Sequence, residues 1–109
     1  MEDDEAANIT ELIINNAVVF YLPMNISSVF PWLIRLDVVN SSLMEIHKED
    51  FKNLTMLTAL DLSGNNLTHL EEDLFEFIPK MIRIRLERNL LSKIHPDVFT
   101  VLLNLHDLQ

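Results

Sequence analysis

The chain has 109 residues, 49% of them apolar, and a formal net charge of −9. This length is enough for one domain with a modest core, and the apolar content excludes a chain that is disordered by composition. The acidic balance argues against phosphate backbones as ligands, so nucleic acid is not an expected partner. The chain contains no cysteine and no apolar run near the roughly 18 residues of a membrane helix, which excludes disulfide bonds, thiolate zinc sites and direct membrane insertion of this segment.

The first eight residues, MEDDEAAN, are mostly acidic or small and lack the basic and then apolar order of a signal peptide. We expect this segment to be disordered, because it has too few apolar residues to pack. A regular apolar pattern begins at Ile9 and continues to Gln109. The sequence therefore predicts a disordered N-terminus over residues 1–8 and a folded domain over residues 9–109.

The folded part is built from repeats of 24 residues. Three consecutive segments carry apolar residues at matching positions, namely 33–56, 57–80 and 81–104. A weaker copy occupies 9–32, and a partial unit occupies 105–109. A fixed period of this length is typical of a solenoid, in which each repeat forms one coil stacked on the next.

Each repeat contains an LxL tripeptide, which predicts a short strand whose leucines point inward and whose other residues point outward. The chain must then turn, and the buried backbone groups of that turn need hydrogen-bond partners. An asparagine supplies one acceptor and two donors on a short side chain. Asn65 and Asn89 occupy this position in two repeats, so we predict an asparagine ladder between coils. Ser41 and Ala17 take the position upstream, where the ladder should weaken.

In these residues the chain resembles the leucine-rich repeat family, whose pattern is LxxLxLxxNxL. The period of 24 with a phenylalanine in the second half is similar to the subfamily common in animal extracellular proteins, which includes Toll-type receptor ectodomains and secreted arthropod immune proteins. The resemblance implies an α/β-type solenoid with short parallel strands on the concave face and loops or short helical turns on the convex face. It also implies a non-enzymatic segment, of innate-immune or receptor type, that binds a protein ligand or co-receptor.

Extracellular members of this family usually carry cysteine-rich caps at both ends, and this chain has no cysteine. We therefore expect a fragment of a longer protein. A solenoid end without a cap exposes a slice of core. The uncapped ends are expected to favour self-association or a marginally stable monomer.

The sequence contains five acceptor sequons for Asn-linked glycans, N-x-S/T with x not proline, at Asn8, Asn25, Asn40, Asn53 and Asn66. Ten asparagines in a chain where 11 of 109 residues are Ser or Thr would give about one such sequon by chance. Repeat turns favour these residue types, but Asn25 and Asn53 fall in the predicted convex half. The excess favours a secreted protein or the ectodomain of a membrane protein. An intracellular scaffold or regulatory subunit built on the same repeat is the alternative.

The concave face is the usual binding surface of such solenoids, and its residues can be read as two columns across adjacent strands. One column is Ile13, Asp37, Asp61, Arg85 and Gln109, and the other is Glu11, Arg35, Ala59, Arg83 and Asp107. We predict a protein-binding patch formed by Arg83, Arg85, Arg88, Asp61 and Asp37, because arginine is enriched at interfaces and its planar fork suits carboxylates.

A simpler interpretation of the same residues is a set of solvated ion pairs, each worth about 0–1 kcal/mol. Arg35 can reach Asp37, or Asp61 diagonally, and Arg85 stands directly beside Asp61. In that case the charges keep the face soluble and bind no partner.

Other polar and aromatic residues suggest no chemistry. The four histidines lie in different units, and no nucleophile, base and orienting acid fall together, so we predict no catalytic residue, no metal site and no cofactor. We expect Phe51, Phe75 and Phe99 to stack as a spine of the core rather than to form a ligand-binding box. Trp32 is expected to cover the convex side in part.

Overall fold

The computed structural model describes residues 8–109, and residues 1–7, most of the segment predicted to be disordered, lie outside the described residues. The strands are β1 (Glu11–Asn15), β2 (Arg35–Val39), β3 (Ala59–Asp61), β4 (His69–Leu70), β5 (Arg83–Arg85), β6 (Lys93–Ile94) and β7 (Asp107–Leu108). Five of them form one parallel sheet in the order β1-β2-β3-β5-β7. The other two, β4 and β6, pair in a small parallel sheet.

Helical structure is confined to short turns on the convex side. The structure shows one α-helix, α1 (Ile26–Val29), and one 3-10 helix (Lys48–Phe51) within residues 8–109. No helix in the described part of the chain is long and apolar enough to cross a bilayer. Parallel strands on one side and short turns on the other confirm the predicted α/β-type solenoid.

Each strand of the main sheet pairs with the strand 24 residues later. Leu12 faces Leu36, Leu36 faces Leu60, and Leu60 faces Ile84 along the sheet. Leu36, Leu60 and Ile84 are completely or almost completely buried. The register therefore follows from the period of the repeat, because a slip by one residue would turn these side chains out to solvent.

The phenylalanine column forms the spine of the convex half of the core. The ring centroids of Phe51 and Phe75 lie 6.4 Å apart, and those of Phe75 and Phe99 lie 5.7 Å apart with an interplanar angle of 18°. Phe51 and Phe75 are fully buried, while Phe99 is half-buried in the last complete coil. Trp32, the last residue of the first repeat, is 55% exposed, so it covers little of this core.

The turns after β1, β2, β3 and β5 use a left-handed backbone conformation. In each of them, the residue four positions after the inward leucine or isoleucine of the strand has φ between 52° and 71°. These residues are Asn16, Asn40, Gly64 and Arg88, spaced by 24. Asparagine and glycine adopt this conformation readily, whereas other residues pay about 1–2 kcal/mol. Arg88 is therefore the exception in its column.

Candidate protein-binding face

The outward side chains of the main sheet line up in the two columns that the repeat predicts. Arg35 is paired in register with Ala59, and Ala59 with Arg83. Asp61 is paired with Asp37 on one side and with Arg85 on the other. The sheet thus brings four of the five residues of the predicted patch onto one surface, and Arg88 follows just beyond the end of β5.

The N-terminal part of this face is occupied by an internal ion pair. Arg35 donates from Nη2 and Nε to Oδ2 of Asp37, at 2.6 and 3.0 Å. Asp37 is only 5% exposed, so its carboxylate needs this partner. The hydrogen bond and the charge of Asp37 raise the pKa of the Arg35 guanidinium above its ordinary value. Asp37 is therefore engaged within its own strand.

Asp61 has a different partner from the one that the register suggests. Its Oδ1 accepts hydrogen bonds from the backbone N–H of Ser63 at 3.0 Å and from the Ser63 hydroxyl at 2.7 Å. This arrangement closes the turn after β3. Among residues 8–109 the structure contains no ion pair between Asp61 and Arg85, although the two are direct neighbours. Of the ion pairs that the simpler interpretation requires, the described residues of this face form one, between Arg35 and Asp37, and it lies within a single strand.

The three arginines at the C-terminal end of the face have no anionic partner among the described residues. Neither an ion pair nor a side-chain hydrogen bond is formed by Arg83, Arg85 or Arg88 within residues 8–109. The Nε atom of Arg85 is buried and has no hydrogen-bond partner there. A buried donor without a partner costs about 1–3 kcal/mol, so hydrogen bonding within residues 8–109 does not account for the position of this guanidinium.

A shallow depression separates the engaged and the unengaged arginines. It has a volume of about 210 Å³ and lies above Ala59. Its walls are Arg35, Asp37, Leu60, Asp61, Arg83 and Arg85. Ala59 is the smallest residue in its column, and this notch is the feature that reasoning from the sequence missed. The alanine among two arginines in the column was the signal that could have revealed it.

The two asparagines of the predicted ladder are placed in the turns. Oδ1 of Asn65 accepts the backbone N–H groups of Ser41 and Leu43, both at 3.0 Å, and its Nδ2 donates to Val38 O at 2.7 Å and Leu62 O at 2.9 Å. Each asparagine thus serves its own turn and that of the preceding coil.

The second asparagine repeats this pattern one coil later. Asn89 accepts from the backbone N–H of Leu67 at 3.0 Å and donates to Leu62 O at 2.9 Å. Toward the N-terminus Ser41 takes the position of the asparagine. Its hydroxyl makes a single hydrogen bond to the preceding coil, which it accepts from the backbone N–H of Ala17 at 3.3 Å. The cross-coil hydrogen bonding is therefore sparser at the N-terminal end.

All five sequon asparagines are exposed, and none lies in a strand or helix. Three of them, Asn25, Asn40 and Asn53, have positive φ values of 61°, 52° and 69°. Asn25 and Asn53 border the same convex depression beside α1 and the 3-10 helix. The two concave columns contain no sequon.

One cluster of potential metal ligands lies away from this face. Ligand atoms of Glu72, His95 and Asp97 lie within 4.8 Å of one another on the surface. The backbone N–H of Asp97 donates to Nδ1 of His95 at 3.1 Å. In a neutral ring that accepts at Nδ1, the proton is on Nε2. The Nδ1 lone pair is then used by Asp97, and Nε2 has no lone pair with which to bind a metal ion. The arrangement fits a solvated cluster better than a metal site.

The architecture is that of a solenoid, with a parallel sheet and with turns joined by asparagine side chains. The sequence profile of the leucine rich repeat family matches residues 31–91, more than half of the chain. The chain belongs to the leucine rich repeat family. A search among curated protein sequences gives no match.

Solved structures with the same fold include the Toll–Spatzle complex and a single leucine-rich repeat domain. A chain of the Toll–Spatzle complex from Drosophila, in its glycosylated form, is 26% identical over 94% of this chain, with a TM-score of 0.87. Another structure of that complex has a TM-score of 0.89 at 22% identity over 96% of this chain. The leucine-rich repeat domain of APL1B has a TM-score of 0.75 at 24% identity over 99% of this chain. At 22% and 24% identity, the last two structures establish similarity of fold and nothing about function.

The chain is much shorter than these relatives. It spans 14% of the length of each Toll chain and 30% of the APL1B chain. It therefore corresponds to a few coils of a longer solenoid in each of them.

Proposed function

We propose that this chain is a non-enzymatic, extracellular recognition segment of receptor or innate-immune type that binds a protein partner on its concave face. The observation that carries the proposal is the contrast between the two sides of the solenoid. The concave face presents Arg83, Arg85 and Arg88 without anionic partners among the described residues, whereas none of the exposed sequons falls in the two columns of that face.

The similarity to solved structures supports the class of partner. The Toll structures are complexes with Spatzle, described as a hub in development and innate immunity. Of these, the glycosylated Toll chain is the most similar in sequence at 26% identity. For this chain, a protein ligand or co-receptor is accordingly the proposed partner.

The number and exposure of the sequons support an extracellular location. An oligosaccharide can be attached only where the asparagine is accessible, and all five side chains meet that condition. We expect an enzyme that removes Asn-linked glycans to increase the electrophoretic mobility of the native protein. Unchanged mobility, with the endogenous protein confirmed in the same lane, would overturn the extracellular location and favour an intracellular scaffold.

Photo-crosslinking tests the concave face directly. A photoreactive phenylalanine analogue is placed at Ala59, in the notch of the concave face, or at Lys52, an exposed residue of the convex side. Both variants are expressed in the cells that make the protein. We expect an adduct with the same partner from position 59 and none from position 52. Adducts from position 52 alone would move the binding surface to the convex side.

A further inference from the structure

The free arginines form a strip of positive charge that is one strand wide. Arg83 and Arg85 lie on the same face of β5, two residues and therefore about 6–7 Å apart along the strand. The neighbouring strands place Asp61 beside Arg85 and Asp107 beside Arg83. Both aspartates accept other hydrogen bonds, from Ser63 and from the side chain of Gln109, respectively. Within residues 8–109 no ion pair joins either guanidinium to its neighbouring aspartate, so both guanidinium groups are available to an external anion.

Two depressions lie beside the strip. One, of about 210 Å³, lies above Ala59, and the other has a volume of about 290 Å³; Ala59 and Arg83 line both. Arg85 keeps its Nε buried without a partner. The side chain would gain a hydrogen bond by turning toward a carboxylate, since its present position leaves that donor unpaired.

Arg88 provides a second and independent indication of function. Its φ is +54°, and the equivalent positions in the other coils are Asn16, Asn40 and Gly64. Those three residue types adopt this backbone conformation at little cost, whereas arginine does not. The exposed side chain of Arg88 forms no ion pair or hydrogen bond within residues 8–109, and a costly backbone conformation without such contacts is typical of a functional position. Arg88 lies three residues beyond Arg85, at the rim of the same strip.

We propose that Arg83, Arg85 and Arg88 bind an extended segment of the partner protein that carries two acidic side chains at alternate positions, acidic-x-acidic. This proposal rests on the proposed function, since the segment would lie on the concave face. In an extended chain, side chains at positions i and i+2 point the same way about 6–7 Å apart, which matches the two arginines of β5. The planar fork of each arginine can then pair with one carboxylate, and Arg88 adds charge at the rim.

A continuous polyanion fits the same surface less well. Asp61 and Asp107 stand on either side of the strip, and Asp37 lies close by. These carboxylates would repel a sulfated glycan or a nucleic acid, whose charges extend beyond one strand. Two discrete carboxylates can be accommodated between them.

The test measures binding of short fluorescent peptides to the full 109-residue chain at low ionic strength. One nonapeptide carries glutamates at positions 4 and 6 in an otherwise uncharged sequence, and the control carries them at positions 4 and 5. We expect the alternate spacing to bind at least about threefold more tightly, because adjacent side chains of an extended chain point to opposite sides. Equal affinity of the two peptides would overturn the spacing, and tighter binding of a heparin octasaccharide or a single-stranded RNA would overturn the partner class.

Substitutions in the chain test whether peptide binding depends on the arginines of the strip. We expect the double substitution R83A/R85A to weaken binding of the alternate peptide by about tenfold or more, since it removes two charged donors. The matched control K52A/K80A removes the same charge from exposed lysines outside the sheet and should change affinity less than about twofold. Equal losses in the two variants would reduce the effect to net charge and contradict the proposal.

Measuring both Tm and peptide affinity distinguishes a binding role of Arg88 from a structural one. R88N and R88G place residues that tolerate positive φ, so we expect the Tm to rise while peptide affinity falls by about threefold. R88K keeps the charge and the strain, and its affinity should remain within about twofold of the parent chain. A raised Tm with unchanged affinity would remove Arg88 from the site.

The two proposals can fail separately. If the alternate peptide does not bind but the photoreactive residue at position 59 still captures a partner, the acidic segment is wrong and concave recognition stands. If both experiments are negative, concave recognition itself is wrong.

Discussion

The side-chain oxygen of Asn65 accepts the backbone N–H of Leu43, 22 positions earlier in the chain, at a distance of 3.0 Å. Both residues are buried, and no solvent can replace this bond. The same asparagine donates to Val38 O and Leu62 O, so one side chain satisfies the turns of two coils. The hydrogen bonding of this fold is thus concentrated in a few side chains, and their substitution should be costly.

Asn65→Ala should be among the most destabilising changes in the chain. It leaves the backbone N–H groups of Ser41 and Leu43 without the acceptor that Asn65 supplies, and each such buried donor costs about 1–3 kcal/mol, so we expect a loss of roughly 3 kcal/mol or more in the free energy of unfolding. The neighbouring exposed Asn66→Ala is the matched control and should stay within about 0.5 kcal/mol. Urea titration of bacterially expressed protein measures both. Similar midpoints for the two variants would refute the ladder as a source of stability.

Phe75→Ala should cost about 3–5 kcal/mol, because it removes the middle ring of the stacked spine from a fully buried site. Phe99→Ala removes an equivalent but half-buried ring and should cost about half as much. Thermal or urea unfolding followed by circular dichroism gives the comparison. A larger effect at position 99 would mean that the last coil, and not the middle, dominates the core.

Gly64→Ala tests the turn column by two separate effects. The added Cβ would lie 1.9 Å from Oδ1 of Asn40, and φ is +71°, so we expect a loss of roughly 2–4 kcal/mol. Asn40→Gly removes the clash and tolerates the backbone conformation of its own site. In that background the same alanine substitution should cost only about 1 kcal/mol, the penalty of positive φ. Equal costs in both backgrounds would show that Asn40 moves aside freely.

Asp50 is predicted to make stability fall as the pH rises. Burial raises the pKa of this carboxyl, although its Oδ2 accepts the backbone N–H of His47 at 2.7 Å. A folded-state pKa above the unfolded value stabilises the protein fully below the unfolded value of 3.8, and this contribution is lost as the pH rises through the folded value. Asp50→Asn keeps an acceptor for His47 and removes the titration.

The pH dependence of the two proteins provides the measurement for Asp50. Unfolding curves between pH 3 and pH 7 should show Asp50→Asn gaining stability relative to the parent chain as the pH rises. Asp73→Asn is a useful contrast, because Lys48 lies 3.0 Å away and lowers the pKa of Asp73, which gives the opposite slope. The same sign for both variants would contradict the assignment.

The repeat pattern predicted the solenoid and the pairing of strands, because a 24-residue period fixes which residues face each other. Arg35, Ala59 and Arg83 lie in register as that period requires. Burial of the LxL leucines is dictated by the same pattern, since only one register keeps them all inside. These features depend on spacing, and spacing can be read from a sequence.

The partners of individual charged side chains could not be predicted in this way. The register places Arg85 beside Asp61, but Asp61 bonds to Ser63, which is nearer along the chain and closes a turn. Local side-chain to backbone bonds of this type compete with longer cross-strand pairs, and spacing alone does not decide between them. The small sheet of β4 and β6 was also not predicted, because its strands are only two residues long.

The asparagine ladder gives the solenoid a direction. Asn65 completes the turn of the coil before it, Asn89 does the same for Leu67, and Ser41 gives partial help to Ala17. Each turn is thus closed by residues that follow it by 22 or 24 positions. During synthesis, the backbone N–H groups in the turn of a new coil would have no partner until the next repeat had left the ribosome. Folding of the growing chain would therefore lag one repeat behind its synthesis.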